Sequence, residues 1–266
     1  MRNCRGAAGK DFFRFSKYYI DIYKSEIYVL MVIRCDPMNF QNPFKKLGFQ
    51  KCISVVKIGY VGGIIVACKE DKLKIVLVSK WGQFIHMQVK NDKGQEWIFT
   101  MVYASPDEHN RKHLWEIMRL TYATMDMPWL VVGYFNDIAY ANEKKGGGQV
   151  SARKCSIFGE NMEAGNLSDL GAKGSNYTWG GPIYHGGQRI YERLDEVIRN
   201  EEWRLAFSEA HVKILTRVDF SHHHPIKISL SFCNYGRVAK SFRFESAWML
   251  EENYMDRLQG FWNNNE

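Results

Sequence analysis

Residues 27–33 read Ile-Tyr-Val-Leu-Met-Val-Ile, an unbroken apolar run with the length of a strand. Such a run is typical of a strand that is buried on both faces. Just before it, Phe12, Phe15, Tyr19 and Ile22 recur at helical spacing with charged residues between them. That spacing predicts an amphipathic helix. The start of the chain therefore indicates a helix followed by a buried strand.

The rest of the chain alternates irregularly between short β-rich runs and two longer helical patterns. One helix is predicted over 110–123, and another over 152–164. The inner face of the first is formed by Leu114, Ile117, Met118 and Tyr122. Turn residues bound the predicted strands, which lie at 53–58, 63–68, 75–79, 84–89, 96–103, 129–133, 177–179, 212–215 and 226–232. This order indicates an α+β fold of stacked sheets with helices outside, rather than a regular β-α-β repeat.

Composition sets broad limits on the class of protein. The chain has 266 residues, 45% of them hydrophobic, so a sizeable core can be buried. Its net charge of +7 is compatible with a nucleic-acid partner but does not define a fold. The six cysteines are scattered without a Cys-x-x-Cys pair, which indicates free thiols. No apolar run approaches the roughly 18 residues of a membrane span, so we expect a soluble intracellular protein without a membrane partner, in nucleus or cytoplasm.

Two local patterns carry less chemistry than their composition first indicates. The glycines at 146–148 lack the lysine and the spacing of a phosphate-binding loop, and they predict a surface turn. The three histidines at 222–224 are consecutive, so along a strand they point to alternate faces. No Cys or acidic residue follows them at ligand spacing, which disfavours a zinc site.

A series of short motifs is far more specific than either pattern. In chain order they are Asn-Cys-Arg-Gly at 3–6, Tyr-Ala-Ser-Pro at 103–106, Gly-Tyr-Phe-Asn at 133–136, Glu-Lys-Lys-Gly-Gly at 143–147, Tyr-Thr-Trp at 177–179, Glu-Arg-Leu-Asp at 192–195, Glu-Trp-Arg at 202–204, Ser-His-His-His-Pro-Ile at 221–226 and Phe-Arg-Phe-Glu-Ser-Ala-Trp at 242–248.

This series resembles the endonuclease domain of plant LINE-type non-LTR retrotransposons. That domain is a member of the endonuclease/exonuclease/phosphatase superfamily and is similar to apurinic/apyrimidinic endonucleases and pancreatic deoxyribonuclease. The resemblance runs from Asn3 to Trp262. It implies a four-layer αββα sandwich of two packed mixed sheets flanked by helices. We expect this domain over 1–234, followed over 235–266 by a linker with a helical tail that leads toward a reverse transcriptase absent from this chain.

The resemblance also implies a chemistry, the hydrolysis of a DNA phosphodiester with Mg²⁺. Asn3 matches an asparagine at the metal, Tyr103 the tyrosine that contacts the phosphate, and Asn136 the asparagine that orients the attacking water. Asp195 matches the aspartate that orients a histidine, and His223 matches that histidine. Such a histidine stabilises charge on the phosphate in the transition state.

The acidic positions implied by the resemblance are replaced. Val32 stands where a metal-binding glutamate is expected, Tyr134 where a water-orienting aspartate is expected, and His222 where a second metal-side aspartate is expected. Arg2 replaces the expected tryptophan, so a truncated first strand is predicted. Catalytic groups that act as a unit fail non-additively, and we therefore expect an endonuclease impaired in catalysis.

Two alternatives to an impaired endonuclease stay open from the sequence. One is a non-catalytic module that binds nucleic acid or protein, and the other is a pseudogene product without a function. For the first, Arg111, Lys112 and Arg189 are predicted to lie in loops that border the cleft and to contact DNA phosphates.

Overall fold

The computed structural model describes residues 1–3, 10–33, 36–56, 63–123, 125–183, 187, 189–217 and 221–231. Sixteen strands and five α-helices follow one another irregularly in this part of the chain. The strands are β1 (Arg2–Asn3), β2 (Ile27–Ile33), β3 (Lys51–Val55), β4 (Gly63–Cys68), β5 (Leu73–Trp81), β6 (Phe84–Asn91), β7 (Glu96–Tyr103), β8 (Trp129–Tyr134), β9 (Lys144–Lys145), β10 (Ser168–Asp169), β11 (Ala172–Lys173), β12 (Trp179–Ile183), β13 (Arg189–Glu192), β14 (Asp195–Arg199), β15 (His211–Ile214) and β16 (Ile226–Ser229). The helices are α1 (Lys10–Tyr23), α2 (Gln41–Lys46), α3 (Glu108–Ala123), α4 (Ala152–Ala164) and α5 (Glu201–Ala206). Two 3-10 helices cover Pro37–Phe40 and Ala141–Glu143.

Two mixed sheets form the centre of the fold. A four-stranded sheet has the order β1-β2-β4-β3, in which β1 and β2 are parallel and the other pairs antiparallel. A six-stranded sheet has the order β10-β14-β8-β7-β6-β5, with β7 and β8 parallel. Two small three-stranded sheets, β11-β15-β16 and β12-β13-β9, complete the described strands.

The two large sheets pack face to face over the main core. Along β2, the side chains of Val29 and Met31 enter that core, while Tyr28 and Leu30 face the other side. Successive side chains of a strand point to opposite faces, so an unbroken apolar run is what a strand buried on both faces requires. The predicted strand at 27–33 is confirmed, and residues 28–31 are buried on both of its faces.

Helices cover the outer faces of both sheets. Below the four-stranded sheet, Ile20 of α1 and Phe44 of α2 pack against Leu30 of β2. Outside the six-stranded sheet, Trp115 of α3 and Phe158 of α4 pack on the strands β6, β7 and β8. The layers are therefore helix, sheet, sheet and helix, and the predicted four-layer αββα sandwich is confirmed.

The boundaries of several elements were predicted correctly and others were missed. The helix predicted over 110–123 begins two residues earlier, and Leu114 and Met118 are buried on its inner face as expected. The helices α2 and α5 and the strand β14 were not predicted. β1 covers Arg2 and Asn3 in the described part of the chain, and the truncation of the first strand stays a prediction. None of the helices in the described ranges is long and apolar enough to cross a membrane.

One compact unit spans Met1–Phe232, and all described residues belong to it. The predicted linker and helical tail at 235–266 lie outside the described residues, so the predicted domain division stays a prediction. Of the six cysteines, the described Cys52, Cys68 and Cys155 are free thiols.

Candidate active site

Three neighbouring strands of the six-stranded sheet bring the predicted site residues to one edge. β7 and β8 are parallel and end at Tyr103 and Tyr134, which are direct partners in the ladder. β14 runs antiparallel to β8 and begins there, with Asp195 opposite Tyr134. The ladder at this edge needs Gly133, because a Cβ at that position would lie 2.1 Å from the carbonyl oxygen of Val102. The strand register alone therefore places Tyr103, Tyr134 and Asp195 side by side.

A buried histidine–aspartate pair lies at this edge. The Nδ1 atom of His223 is 2.8 Å from Oδ2 of Asp195, and both side chains are almost fully buried. Thr178 holds the aspartate segment, because its Oγ1 accepts hydrogen bonds from the main-chain N–H groups of Leu194 and Asp195. The N–H of His223 donates to Oγ of Ser221. A carboxylate at Nδ1 fixes the orientation and the tautomer of the imidazole ring.

Tyr134 forms an aromatic contact with both neighbours in this site. Its ring stacks on that of Tyr103 with centroids 5.5 Å apart and an angle of 21° between the planes. The imidazole of His223 meets the same ring edge to face, at 5.0 Å and 81°. Tyr134 is partly buried and packs against the main core. A large apolar ring therefore stands beside the histidine at the position where the resemblance implies an aspartate.

Asn136 follows β8 in a conformation that few residues other than glycine adopt. Its φ angle is +56°, in the left-handed region that asparagine tolerates better than most side chains. The Nδ2 group donates to the carbonyl oxygen of Ala104 at 2.7 Å, next to the end of β7. Phe135, between Asn136 and Tyr134, donates its N–H to Leu194. The turn that carries Asn136 is thus tied to both neighbouring strands.

For the remaining predicted positions, Asn3, Val32 and His222, the structure gives the position of the main chain. Asn3 lies on β1 opposite Met31 of β2, and Val32 follows at an irregularity between Met31 and Ile33 in the pairing with β4. Their side chains are outside what the structure describes. His222 is exposed, and its carbonyl oxygen accepts a hydrogen bond from the N–H of Gly180. Convergence of Asn3, Val32 and His222 on the cleft stays a prediction.

Arg111, one of the three predicted nucleic-acid contacts, is bonded within the protein and lies on a helix rather than in a loop. Arg111 is buried on α3, and its guanidinium donates to the carbonyl oxygens of Ser105 and Pro106 and pairs with Asp137 at 3.3 Å. These contacts hold the loop after β7, and contact of Arg111 with DNA stays a prediction. A helical position alone does not reveal whether a long side chain folds back on its own loop.

The other two predicted contacts lie on regular elements rather than in loops. Lys112 is an exposed residue of α3, and Arg189 is a partly buried residue at the start of β13. Contact of either residue with DNA stays a prediction.

The sequence reasoning missed a second ionic site, which joins two of the quoted motifs. Arg193 pairs with Glu143 at 3.3 Å and with Asp169 and Glu196 at 2.8 Å each. We call these four residues the Arg193 cluster. The signal for it in the sequence is the presence of a charged residue, Glu143 and Arg193, in each of two of the quoted motifs, and this does not show that the two side chains meet. Gly146 has a φ of +77°, and a Cβ there would lie 2.6 Å from the carbonyl oxygen of Arg189, so the predicted turn at 146–148 packs on β13.

Two glutamates of the Arg193 cluster, Glu196 and Glu143, have raised pKa values. Burial raises the pKa of Glu196 well above its usual 4.5, against the opposing effect of Arg193. Burial also raises the pKa of Glu143, although the main-chain N–H of Tyr140 and the guanidinium of Arg193 favour its charged form. The Oε1 atom of Glu196 is buried and has no hydrogen-bond partner in the described part of the chain. The carboxylates of Asp169 and Glu143 act in the same direction as burial on the pKa of Glu196, so the protonated form of Glu196 is favoured.

The residues at hand do not fit Mg²⁺. The resemblance implies oxygen ligands where this chain has Val32, Tyr134 and His222. Valine has no ligand atom, and a phenol or an imidazole matches poorly a hard cation that prefers carboxylate oxygens. Across the described ranges, no group of three or more His, Cys, Asp or Glu side chains is placed to hold a metal ion.

Comparison with known proteins gives the fold its context. No protein-family model and no curated protein sequence matches the chain. Among solved structures, the endonuclease domain of TRAS1, a telomere-specific non-LTR retrotransposon, is 16% identical, with a TM-score of 0.61 over 85% of this chain and 94% of that one. A 3′ phosphatase, NExo from Neisseria bound to a product DNA hairpin, is 14% identical, with a TM-score of 0.59 over 83% and 94%.

A third similar structure is an endonuclease/exonuclease/phosphatase family protein from Bacteroides thetaiotaomicron. It is 14% identical, with a TM-score of 0.55 over 85% of this chain and 93% of that one. At such identities these likenesses establish the fold alone. The chain has the α+β sandwich fold of endonuclease/exonuclease/phosphatase proteins.

Proposed function

We propose that this domain derives from a metal-dependent, DNA phosphodiester-cleaving endonuclease of a plant LINE-type retroelement, and that catalysis is impaired in this copy. The observation that carries the proposal is the arrangement of Asp195, His223 and Tyr134 at the end of β8. The Asp195–His223 pair is intact at 2.8 Å, while the ring of Tyr134 stands 5.0 Å from the imidazole. The likeness to a retrotransposon endonuclease and to a DNA-bound phosphatase supports the same class of substrate.

The remaining groups are able to perform part of a hydrolysis. The imidazole of His223, held at Nδ1 by Asp195, can donate a proton or a hydrogen bond to a phosphate oxygen from Nε2. Asn136 carries an amide at the end of β8. Val32, Tyr134 and His222 replace the carboxylates that the resemblance implies. The site therefore lacks the group that would activate water and the oxygen ligands that would bind a metal. Because such groups act as a unit, the loss of several removes nearly the whole catalytic effect.

A plasmid-nicking assay with Mg²⁺ and with Mn²⁺ tests this proposal. The unaltered chain should nick supercoiled DNA no faster than buffer. The variant Val32→Glu, Tyr134→Asp, His222→Asp should gain nicking activity, and adding His223→Ala to it should remove that gain. Nicking by the unaltered chain that His223→Ala abolishes would show that the site is active as it stands.

A matched control separates restored chemistry from added negative charge. The variant Val56→Glu, Tyr140→Asp, His113→Asp makes the same three substitutions at exposed positions. It should stay inactive. Circular dichroism and a thermal unfolding curve for each variant establish that the compared proteins are folded.

A non-catalytic DNA-binding module is the second candidate, and the basic balance of the chain favours it. The net charge is +7, and Lys112 is exposed. Binding through phosphates should weaken with salt by roughly 0.9 in log–log slope for each phosphate neutralised on duplex DNA. A titration of labelled duplex DNA at several salt concentrations measures the slope. A flat response, or no binding at micromolar protein in low salt, leaves a pseudogene product without a function as the better account.

A further inference from the structure

Asn136 holds a strained main-chain conformation just after β8. Its φ of +56° lies in the left-handed region, which crowds the Cβ of a residue other than glycine, although asparagine tolerates it better than most. Such a conformation persists where the surrounding contacts determine it. Asn136 is also the residue to which the resemblance assigns the orientation of the attacking water. The contacts that hold this turn therefore decide where its amide points.

Two hydrogen bonds tie the turn to the loop after β7. The Nδ2 group of Asn136 donates to the carbonyl oxygen of Ala104 at 2.7 Å. In the other direction, the main-chain N–H of Ala104 donates to the carbonyl oxygen of Tyr134. The direction of the Asn136 amide is therefore set by the position of the main chain at Ala104, and it changes if that loop moves.

Arg111 of α3 connects the same two segments a second time. Its Nη1 atom donates to the carbonyl oxygens of Ser105 and Pro106, at 3.0 Å and 2.8 Å. Its Nη2 atom pairs with Oδ2 of Asp137 at 3.3 Å. Ser105 and Asp137 each come one residue after a partner of the amide bond, so the two connections between the segments are adjacent.

A guanidinium has the geometry that this connection requires. It presents several N–H donors in one rigid plane, so a single side chain reaches carbonyl oxygens and a carboxylate at fixed angles, whereas an ammonium on a flexible stem does not. Arg111 is buried, with 7% of its surface exposed, and a buried charge is retained where it is paired and hydrogen-bonded. Burial raises the pKa of Asp137, and the guanidinium of Arg111 is the strongest influence in the opposite direction.

A second buried side chain holds the loop from its other side. Gln83, in the turn between β5 and β6, accepts the N–H of Ser105 through Oε1 at 2.6 Å and donates through Nε2 to the carbonyl oxygen of Asn110 at 2.9 Å. Its own carbonyl oxygen accepts the N–H of Tyr103. The N–H of Ser105 is thus bonded to Gln83 and its C=O to Arg111. Arg111 extends this fixed loop to the turn after β8.

We propose that Arg111 is a positioning residue, which together with Asp137 fixes the amide of Asn136 against the loop after β7. Without the guanidinium, the connection next to the amide bond is lost, and the left-handed conformation of Asn136 is held less firmly. The amide then turns away from the direction in which it would meet a water or a phosphate. The part that Asn136 plays in the reaction rests on the proposed function, whereas the link between Arg111 and the amide does not.

Proton exchange at the Asn136 side chain, measured by nuclear magnetic resonance, tests the proposal without DNA or metal. The two Nδ2 protons give separate signals, which are assigned by their disappearance in Asn136→Asp. The proton bonded to Ala104 should exchange with water about tenfold more slowly than the other one, in line with one hydrogen bond. Arg111→Ala should bring the two rates together. Asp137→Asn, which keeps the bonds to the carbonyl oxygens, and Arg111→Lys, which keeps the charge, should each remove part of the difference.

Two controls separate positioning from a loss of stability. Arg119→Ala removes an exposed arginine from the same helix, and Ile20→Val destabilises the fold at a buried position below the four-stranded sheet. Both variants should keep the difference between the two rates. An undiminished difference in Arg111→Ala overturns the proposal, and so does its loss in Ile20→Val, because the amide would then follow stability alone. If Arg111→Ala does not fold, an undiminished difference in both Arg111→Lys and Asp137→Asn overturns it.

A second measurement applies if the variant Val32→Glu, Tyr134→Asp, His222→Asp nicks DNA. Adding Arg111→Ala should lower its nicking rate at saturating DNA by about tenfold or more, while its affinity for duplex DNA stays within about twofold. Adding Arg119→Ala should change neither. A loss of affinity with an unchanged rate at saturation would mean that Arg111 contacts DNA, and it overturns the positioning role. If the starting variant stays inactive, that result counts against the proposed function, and the exchange rates still decide the role of Arg111.

Discussion

The two faces of strand β14 each bury an acidic side chain, and they surround it with different partners. On the inner face, Asp195 meets a single partner, His223, at 2.8 Å. On the outer face, Glu196 shares Arg193 with Glu143 and Asp169. The assignment of faces follows from the next residues, since Val197 belongs to the core between the sheets and Ile198 to the core under the helices. Two neighbouring acids thus face opposite environments.

The two faces differ in how many acids share one partner. The inner pair joins one carboxylate to one imidazole through a single hydrogen bond. The outer cluster contains three carboxylates and one guanidinium. Burial raises the pKa of Glu196 well above 4.5, and the carboxylates of Asp169 and Glu143 act in the same direction. Arg193 in turn has a pKa raised by its carboxylate neighbours, chiefly Glu196, although burial acts in the opposite direction. The cluster is therefore a structural support whose strength depends on pH, and it holds the strand from which Asp195 projects.

The largest expected effect comes from removing the shared cation. Arg193→Ala leaves Glu143, Asp169 and Glu196 without the guanidinium that contacts all three, and removal of one partner from a buried ionic group costs about 3–5 kcal/mol. Urea denaturation at pH 7 measures the free energy of unfolding. Lys112→Ala, at an exposed position, is the control. A loss below about 1 kcal/mol, the range of exposed ion pairs, would show that the cluster contributes little.

The second effect is a change in pH dependence. Because the folded state raises the pKa of Glu196, the folded protein keeps a proton that the unfolded chain releases above about 4.5. This contribution to stability is complete below pH 4.5 and is lost as pH rises through the raised pKa, with a slope of up to about 1.4 kcal/mol per pH unit. Glu196→Gln has no such proton, so its stability relative to the unaltered chain should increase with pH.

Denaturation curves between pH 4 and pH 8 measure that slope. Glu202→Gln, at an exposed position of α5, should run parallel to the unaltered chain. The raised pKa of Glu143 gives a slope of the same sign, and this part should survive in Glu196→Gln. Parallel curves for Glu196→Gln and the unaltered chain would mean that Glu196 is ionised in the folded protein.

A smaller effect is expected on the inner face. His223→Ala removes the hydrogen bond to Oδ2 of Asp195, and the Oδ1 atom of this residue is already buried without a hydrogen-bond partner in the described part of the chain. A buried acceptor left unsatisfied costs about 1–3 kcal/mol. In the double variant with Arg193→Ala, the two losses should add to within about 0.5 kcal/mol if the two faces act separately. A larger departure from additivity would mean that the two faces of β14 are energetically coupled.

The smallest effect concerns the tyrosine beside the histidine. Tyr134→Leu removes the ring contacts with Tyr103 and His223, and aromatic pairs contribute about 0.5–1.5 kcal/mol beyond their buried area. Thermal unfolding compared with Tyr140→Leu, at a tyrosine exposed by 63%, measures the difference. An increase in stability would show that the Tyr134 ring is strained in this site.

The parts of the fold that the sequence predicts are those with a strong repeating pattern. The bounds of β2, β4, β7 and α4 agree with the predicted ranges, because each is an unbroken apolar or helical run between turn residues. β14 escaped prediction because Asp195, Glu196 and Arg199 interrupt its apolar pattern. α5 has six residues, too few for a helical period, although Asn200 caps it by accepting from the N–H of Trp203. Asparagine followed by two glutamates is nevertheless a start signal for a helix.

The candidate site, too, was predicted from the sequence only in part. The motif order singled out Tyr103, Asp195 and His223, and the strand register and one hydrogen bond bring them together. The sequence did not predict the direction in which a side chain points. Arg111 lies one residue from an exposed lysine and has the same charge, yet three oxygen atoms of its own neighbourhood hold it inside the protein. The Arg193 cluster depends on contacts across 50 residues of chain, which no local pattern encodes.

The backbone N–H of Ile226 donates to the carbonyl oxygen of Met1 at 3.0 Å, so the first and last described strands lie near one another in space. A growing polypeptide reaches Ile226 long after the sheet segments at 27–103 have left the ribosome. At the usual rates of synthesis this delay is on the order of ten seconds or more. During that interval β1 lacks its late neighbour, and His223 has not yet arrived to cover Asp195. The candidate active site is therefore among the last parts of the nascent domain to assemble.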